Sequence, residues 1–300
     1  MRETEFNKAQ VAKYLLWTFV LAYIIQVGAA WVAGSGDAVH ARMIMAAMML
    51  VPALGVLLVG GKLKDMGWKL KLRENIKPLL LAWFAPLLLT ALGTALYFLV
   101  FPGQLDLSGQ ALVENGGAEA LEQLEAQGVS YPMYMLINAI GCVTYAPLIN
   151  MVFALGEEIG WRGFLYPQLK AKLGQEKGWL LGGVIWGAWH WPLIVLIGYE
   201  YGFGYVGFPF TGMLLFCVIT AAWGILHDVL YEKSGSIWVP AIFHGALNAA
   251  ATLPLAVWRP VSGSVRLLGP APNGLLAGLP FLLAAGVLLW RASRGSGEQA

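Results

Sequence analysis

Apolar runs long enough to cross a bilayer recur along the whole chain; about 20 such residues make one helical crossing. They fall near 14–33, 43–60, 79–101, 133–156, 179–197, 210–230, 237–257 and 273–290 of the 300 residues. In hydrocarbon every backbone N–H and C=O must be paired within its own segment, which makes runs of this kind α-helices. Composition agrees: 58% of residues are hydrophobic and 12% are charged, against about 25% charged in a soluble domain. The expectation is an all-α, polytopic membrane protein of about eight transmembrane helices, a single transmembrane domain over 1–300. The first run is long for a signal peptide and its leader carries Glu3 and Glu5, so it reads as a retained helix.

Basic residues set the expected orientation. Sixteen of the 19 Lys and Arg fall in the N-terminal tail, in alternate loops that include Lys62–Lys77 and Arg162–Lys177, and in the C-terminal tail. The other loops hold only Arg42, Arg259 and Arg266. Both termini are therefore expected in the cytoplasm, which an even number of spans requires, with the prokaryotic plasma (inner) membrane as the location. The stretch 102–131 has no Lys or Arg and several Asp and Glu, which fits an outer loop, with a short amphipathic helix at 118–127. A net charge of +2 gives no reason to expect a nucleic-acid partner. Cys142 and Cys217 lie in apolar runs and read as small core residues.

Ionisable groups inside spans are costly and mark functional candidates. Here they cluster in the second half. Gly156-Glu157-Glu158-Ile159-Gly160-Trp161-Arg162 closes the fourth span. Glu158 and Arg162 are four apart and share a helix face, while Glu157 points about 100° away, so one carboxylate pairs while its neighbour stays free. His190 lies mid-span between Trp189 and Trp191, with Pro192 beyond it, and Gly183 and Gly187 have the small-residue spacing of close helix packing. His244 and Asn248 share a face four residues apart. Counted at the helical rise, His244 lies roughly 10 Å and His190 roughly 17 Å from the basic face, so the three groups converge in one half of the bundle, with the site open toward the cytoplasm. The bland alternatives are a solvated helix end, a satisfied buried His and an interhelical hydrogen-bond pair. Together, a Glu, two His and an Asn make a set that activates water and stabilises an oxyanion.

In order and spacing, Glu157-Glu158-x-x-x-Arg162, Trp186-x-x-x-His190 and His244-x-x-x-Asn248 resemble the CPBP family, which groups type II CAAX-processing proteases with bacteriocin-processing and immunity proteins. The flanking Gly163-Phe164-Leu165 and Tyr231–Ser236 match as well, so the resemblance covers roughly 140–255, the catalytic core carrying the three motifs. It implies an eight-helix intramembrane peptidase. In that reading Glu157 activates water, His190 holds the water, His244 and Asn248 form the oxyanion site, and Glu158 and Arg162 organise the first carboxylate. The implied substrate is a membrane-embedded or lipidated peptide or protein, prenylated or not. A mechanism without a cofactor is favoured; the competing account is a divalent metal such as zinc, held by Glu157, His190 and His244, although Asn is a poor zinc ligand.

Trp186 stands where Phe is usual in the family. His227-Asp228 has no counterpart role and reads as an interfacial pair, with proton traffic or metal binding the minor reading; His40 reads as a solvated loop residue. No Gly-x-Ser-Gly serine site is present, and an aspartyl site is not expected. Two other classes stay open. One is a non-proteolytic scaffold or immunity protein on the same bundle, whose effect survives loss of Glu157. The other is a small-molecule transporter, disfavoured by the missing internal repeat.

Overall fold

The structure, a computed structural model, describes residues 5–114 and 117–297. Arg2 and Glu3, counted above in the N-terminal tail, lie outside them. Helix α1 (Lys8–Gly34) starts at Asn7, whose side chain accepts from the Gln10 amide at 3.0 Å. Helices α2 (Ala38–Met48) and α3 (Val51–Leu58) make one crossing, broken just before Pro52. Helix α4 (Leu72–Val100) follows, then two short helices, α5 (Gln110–Glu114) and α6 (Ala118–Ala126), the latter being the helix expected at 118–127.

Next, α7 (Tyr131–Thr144) bends by 54° into a longer helical stretch. That stretch runs from α8 (Ala146–Gly160) through a π-helical turn, Trp161–Leu165, into α9 (Tyr166–Leu173). Helices α10 (Gln175–Trp189) and α11 (Trp191–Ile197) meet at His190. The chain ends with α12 (Phe210–Ser234), α13 (Trp238–Ala256) and α14 (Leu279–Gly297).

The described residues form no strand, only an isolated bridge between Leu105 and Trp258. The all-α polytopic expectation is borne out. Among the described residues, six helical segments are long and apolar enough to span, or seven when the bent α7–α9 segment is taken as one span. The eighth expected span, 273–290, is helical only from Leu279. Pro270, Pro272, Gly274 and Gly278 precede it, and residues so poor in helix propensity form a turn-rich stretch.

Two contacts set the scale of the packing. Helix α13 lies along α8, and a Cβ on Gly245 would come 2.3 Å from the Pro147 carbonyl oxygen. Helix α10 lies along α12, and a Cβ on Gly183 would meet the Ala221 Cα at 2.2 Å. Small residues thus set the close approach within each pair, α13 on α8 and α10 on α12.

The loops sort onto two ends of the bundle. At one end, the Ile237 amide donates to the Gly67 carbonyl (3.1 Å) and the Trp238 indole to the Trp68 carbonyl (2.9 Å), joining the basic 59–71 loop to the start of α13. At the other, Asn273 donates to the Glu200 carbonyl (3.4 Å) and the Val206 amide to Ser264 (3.1 Å).

Candidate active site

Glu157 and Glu158 do not end a span. Their helix continues through the π-helical turn to Leu173, so the motif sits inside it, and Arg162 is fully buried rather than a loop cation. The apolar run stops at Glu157 in sequence, yet buried partners for each carboxylate let the helix carry on through protein. A π-helical turn re-aims side chains and recurs at functional sites; here it falls on Trp161 and Arg162.

The adjacent carboxylates face different surroundings, as their separation around the helix requires. Glu158 turns into protein. Its Oε1 accepts from Arg162 Nη1 at 3.0 Å and from His244 Nδ1 at 2.7 Å, and all three side chains are buried. Arg162 is sandwiched, its guanidinium 4.8 Å from the Tyr166 ring centroid and 4.6 Å from that of Trp186. Glu157 turns toward a cavity, and its Oε2 accepts from the indoles of Trp161 (3.0 Å) and Trp186 (2.7 Å).

His190 occupies the junction of α10 and α11. Its Nδ1 contacts the Trp186 carbonyl oxygen at 3.0 Å. That nitrogen must carry the proton to donate there, which leaves Nε2 with a lone pair. The ring stacks on Tyr199 at 6.0 Å with a 2° interplanar angle, so its plane is held. His244 is tied through Nδ1 to Glu158, leaving its Nε2 as the second site. Asn248 follows one turn later on α13.

One cavity of about 660 Å³ is lined by Glu157, Trp186, His190, His244 and Asn248 together. Glu158 and Arg162 stand behind it. The convergence of the three motifs is therefore a property of the fold. The cavity wall also includes residues that the sequence did not single out: Tyr199 and Glu200, from the α11–α12 loop, and Asn273. They come from irregular segments with no periodic signal. Burial pushes the Glu200 carboxyl up to about 7.

His227 and Asp228 are not interfacial. Both are fully buried. His227 Nδ1 contacts the Trp223 carbonyl oxygen at 2.7 Å, and its Nε2 lies 3.9 Å from Glu158 Oε1. Asp228 accepts from Lys170 and from the Trp179 indole (2.6 Å). Lys170 also pairs with Glu232 at 2.6 Å, so a residue read as a loop cation in fact clamps α9 to α12. An apolar run followed by charges looks like a span end, but these charges answer one another across helices.

Among the described residues, the group of side chains near enough to share a metal ion is Glu158, His227 and His244, with ligand atoms within 4.8 Å of one another. The sequence had offered Glu157, His190 and His244. Glu158 Oε1 is already engaged by Arg162 and His244, and a dication there would face the Arg162 guanidinium. Like charges in a buried site repel strongly, so this trio does not fit a divalent ion as it stands.

Gly34-Ser35-Gly36-Asp37 does spell the Gly-x-Gly-Asp pattern of aspartyl intramembrane proteases. Asp37, however, is a helix cap outside the cavity. It holds the His40 amide at 3.1 Å and the His40 ring at 2.6 Å, and both side chains are well exposed. His40 is solvated, as expected, but sits in the first turn of α2 rather than in a loop.

The cavity runs from Glu157 to the loops 198–209 and 257–278, the end of the bundle opposite the basic 59–71 loop. Cytoplasmic basic loops and a site open to the cytoplasm were expected together. The two do not fit one orientation, since the cavity and the basic 59–71 loop lie at opposite ends of the bundle.

Comparison with known proteins supports the same chemistry. The profile of the Rce1-like type II CAAX prenyl endopeptidases matches residues 138–250, the stretch that carries all three motifs. A relative described as CAAX prenyl protease 2, from Methanococcus maripaludis, is 24% identical over 282 residues, 92% of each chain. The chain is an integral membrane protein and a peptidase, and over residues 138–250 it is similar to the Rce1-like type II CAAX prenyl endopeptidases of the CPBP family of intramembrane proteases.

Proposed function

We propose that this cavity hydrolyses a peptide bond in a membrane-associated or lipidated substrate, and that Glu157 is the general base. The observation that carries the reading is the single cavity shared by Glu157, His190, His244 and Asn248. Both indoles bind Glu157 Oε2, which leaves Oε1 for a water. The His190 Nε2 lone pair accepts a second hydrogen bond from that water and fixes its direction. As the water oxygen attacks the substrate carbonyl, its proton passes to Glu157.

The negative charge that develops on the carbonyl oxygen needs donors placed in advance. The Asn248 amide is one. His244 is the other, through Nε2–H when the ring is protonated, with its Nδ1 held on Glu158. Collapse of the intermediate breaks the C–N bond, and the proton held by Glu157 goes to the departing amine. Arg162 pairs with Glu158 and keeps it oriented. No step needs a metal ion or cofactor.

The relative described as a CAAX prenyl protease points to a prenylated C-terminal segment as the substrate class. The plasma membrane is the proposed location. The test is a pooled set of prenylated and unlipidated peptides offered to purified protein in detergent, with and without a chelator. Cleavage that survives chelation supports the metal-free reading. Cleavage abolished by chelator and restored by zinc overturns it.

A further inference from the structure

Two of the three basic residues outside the basic loops and tails, Arg42 and Arg266, line the same cavity as Glu157. Cations on this side run against the charge bias of the rest of the chain. Arg266 is the better placed. It lies in the 3₁₀ turn Gly263–Leu268, with its guanidinium 5.5 Å from the centroid of the Trp258 ring. Its Nε is buried and has no hydrogen-bond partner, and no ion pair among the described residues includes Arg266.

Room has been made for it. Gly202 has φ +67°, a conformation that disfavours a side chain, and a Cβ there would come 2.3 Å from the Arg266 Cζ. A half-buried guanidinium with unused donors calls for an anion, and its planar fork matches a carboxylate. Glu200 lines the cavity too but forms no ion pair with it.

We propose that Arg266 anchors the free α-carboxylate at the C terminus of the substrate, so that the bond cut at Glu157 lies close to the end of the substrate chain. This rests on the peptidase reading above and adds the residue that makes the site selective for chain ends. Phosphate from a lipid headgroup shares the chemistry of an anion on Arg, and the experiment separates the two.

Each peptide of the pooled set is made twice, as the free acid and as the C-terminal amide. Wild-type kcat/KM should favour the acid by about tenfold or more, the usual effect of one charge-assisted hydrogen bond. Arg266→Gln should erase the preference, Arg266→Lys should restore part of it, and Arg42→Gln should leave it in place. The same difference is read without turnover, as fluorescence anisotropy of labelled acid and amide peptides on Glu157→Gln protein. Acid-selective binding that depends on Arg266, with no cleavage by the wild type, would sink the peptidase reading and keep the anchor. Equal binding and turnover of acid and amide, or a preference that survives Arg266→Gln, overturns the anchor. An Arg266-dependent response to anionic lipid with no acid preference overturns it in favour of a headgroup.

Discussion

The Trp186 indole, on α10, donates to Glu157 Oε2, on α8, at 2.7 Å. Trp186 also carries the Arg162 guanidinium on its face and meets His244 edge-on at 5.4 Å. One side chain thus touches both halves of the acidic motif and the candidate oxyanion histidine. Where the family commonly has Phe, this chain has a hydrogen-bond donor aimed at the proposed base.

Trp186→Phe keeps an aromatic wall but removes that donor. The Trp161 indole still holds Oε2, so the base stays near its place but is less firmly oriented. The expected outcome is a fall of about tenfold in kcat with KM little changed. An unchanged kcat would show that the indole only fills space.

Glu158→Gln tests the buried pair. Removing one partner leaves Arg162 charged in a dry site, which typically costs about 3–5 kcal/mol. The apparent Tm in detergent should drop by several degrees, and activity should fall with it. Replacing Glu158 and Arg162 together, by Gln and Met, should recover much of the lost Tm without recovering activity. A single variant as stable as wild type would mean that the ion pair contributes nothing to the fold.

The helical spans were legible because the length of an apolar run is a local property of the sequence. The motif residues were legible because an ionisable group in such a run is anomalous. What escaped depended on neighbours distant in sequence. Arg162 and Lys170 looked like loop cations because their partners are set by packing; Asp228 answers Lys170 from 58 residues away. His227 looked interfacial because it ends an apolar run, yet it packs against His244 at 5.3 Å between ring centroids. Glu200 and Arg266 belong to irregular loops and carry no periodicity. The eighth span was overread because its Pro and Gly lie at its start, where the average apolar character hides them.

Glu200 predicts a pH dependence. Its carboxyl is pushed up to about 7 in the folded protein by burial, against about 4.3 when unfolded. Between those values the folded state holds the extra proton, so stability falls as pH rises through this window and levels off above about 7. Glu200→Gln removes the dependence. Apparent Tm measured at pH 5 and pH 8 should show the variant gaining on wild type at pH 8. A gain confined to pH 5 would reverse the assignment.

The direction of the cavity predicts a labelling pattern. In a background lacking Cys142 and Cys217, a cysteine at exposed Ser264 should react with a membrane-impermeant maleimide applied to whole cells. A cysteine at exposed Lys62 should react only after lysis. The opposite pattern would place the cavity end in the cytoplasm and the basic loops outside.

Catalysis by Glu157 rather than Glu158 is the central claim, and Glu157→Gln tests it most directly. The substitution keeps the shape of the side chain and an oxygen for the Trp161 and Trp186 indoles, and removes only the base. Turnover of the pooled peptides by purified Glu157→Gln protein should fall by at least about 100-fold, as loss of a general base implies, while apparent Tm stays at the wild-type value. Turnover within a factor of a few of wild type, in protein of unchanged Tm, would contradict the account.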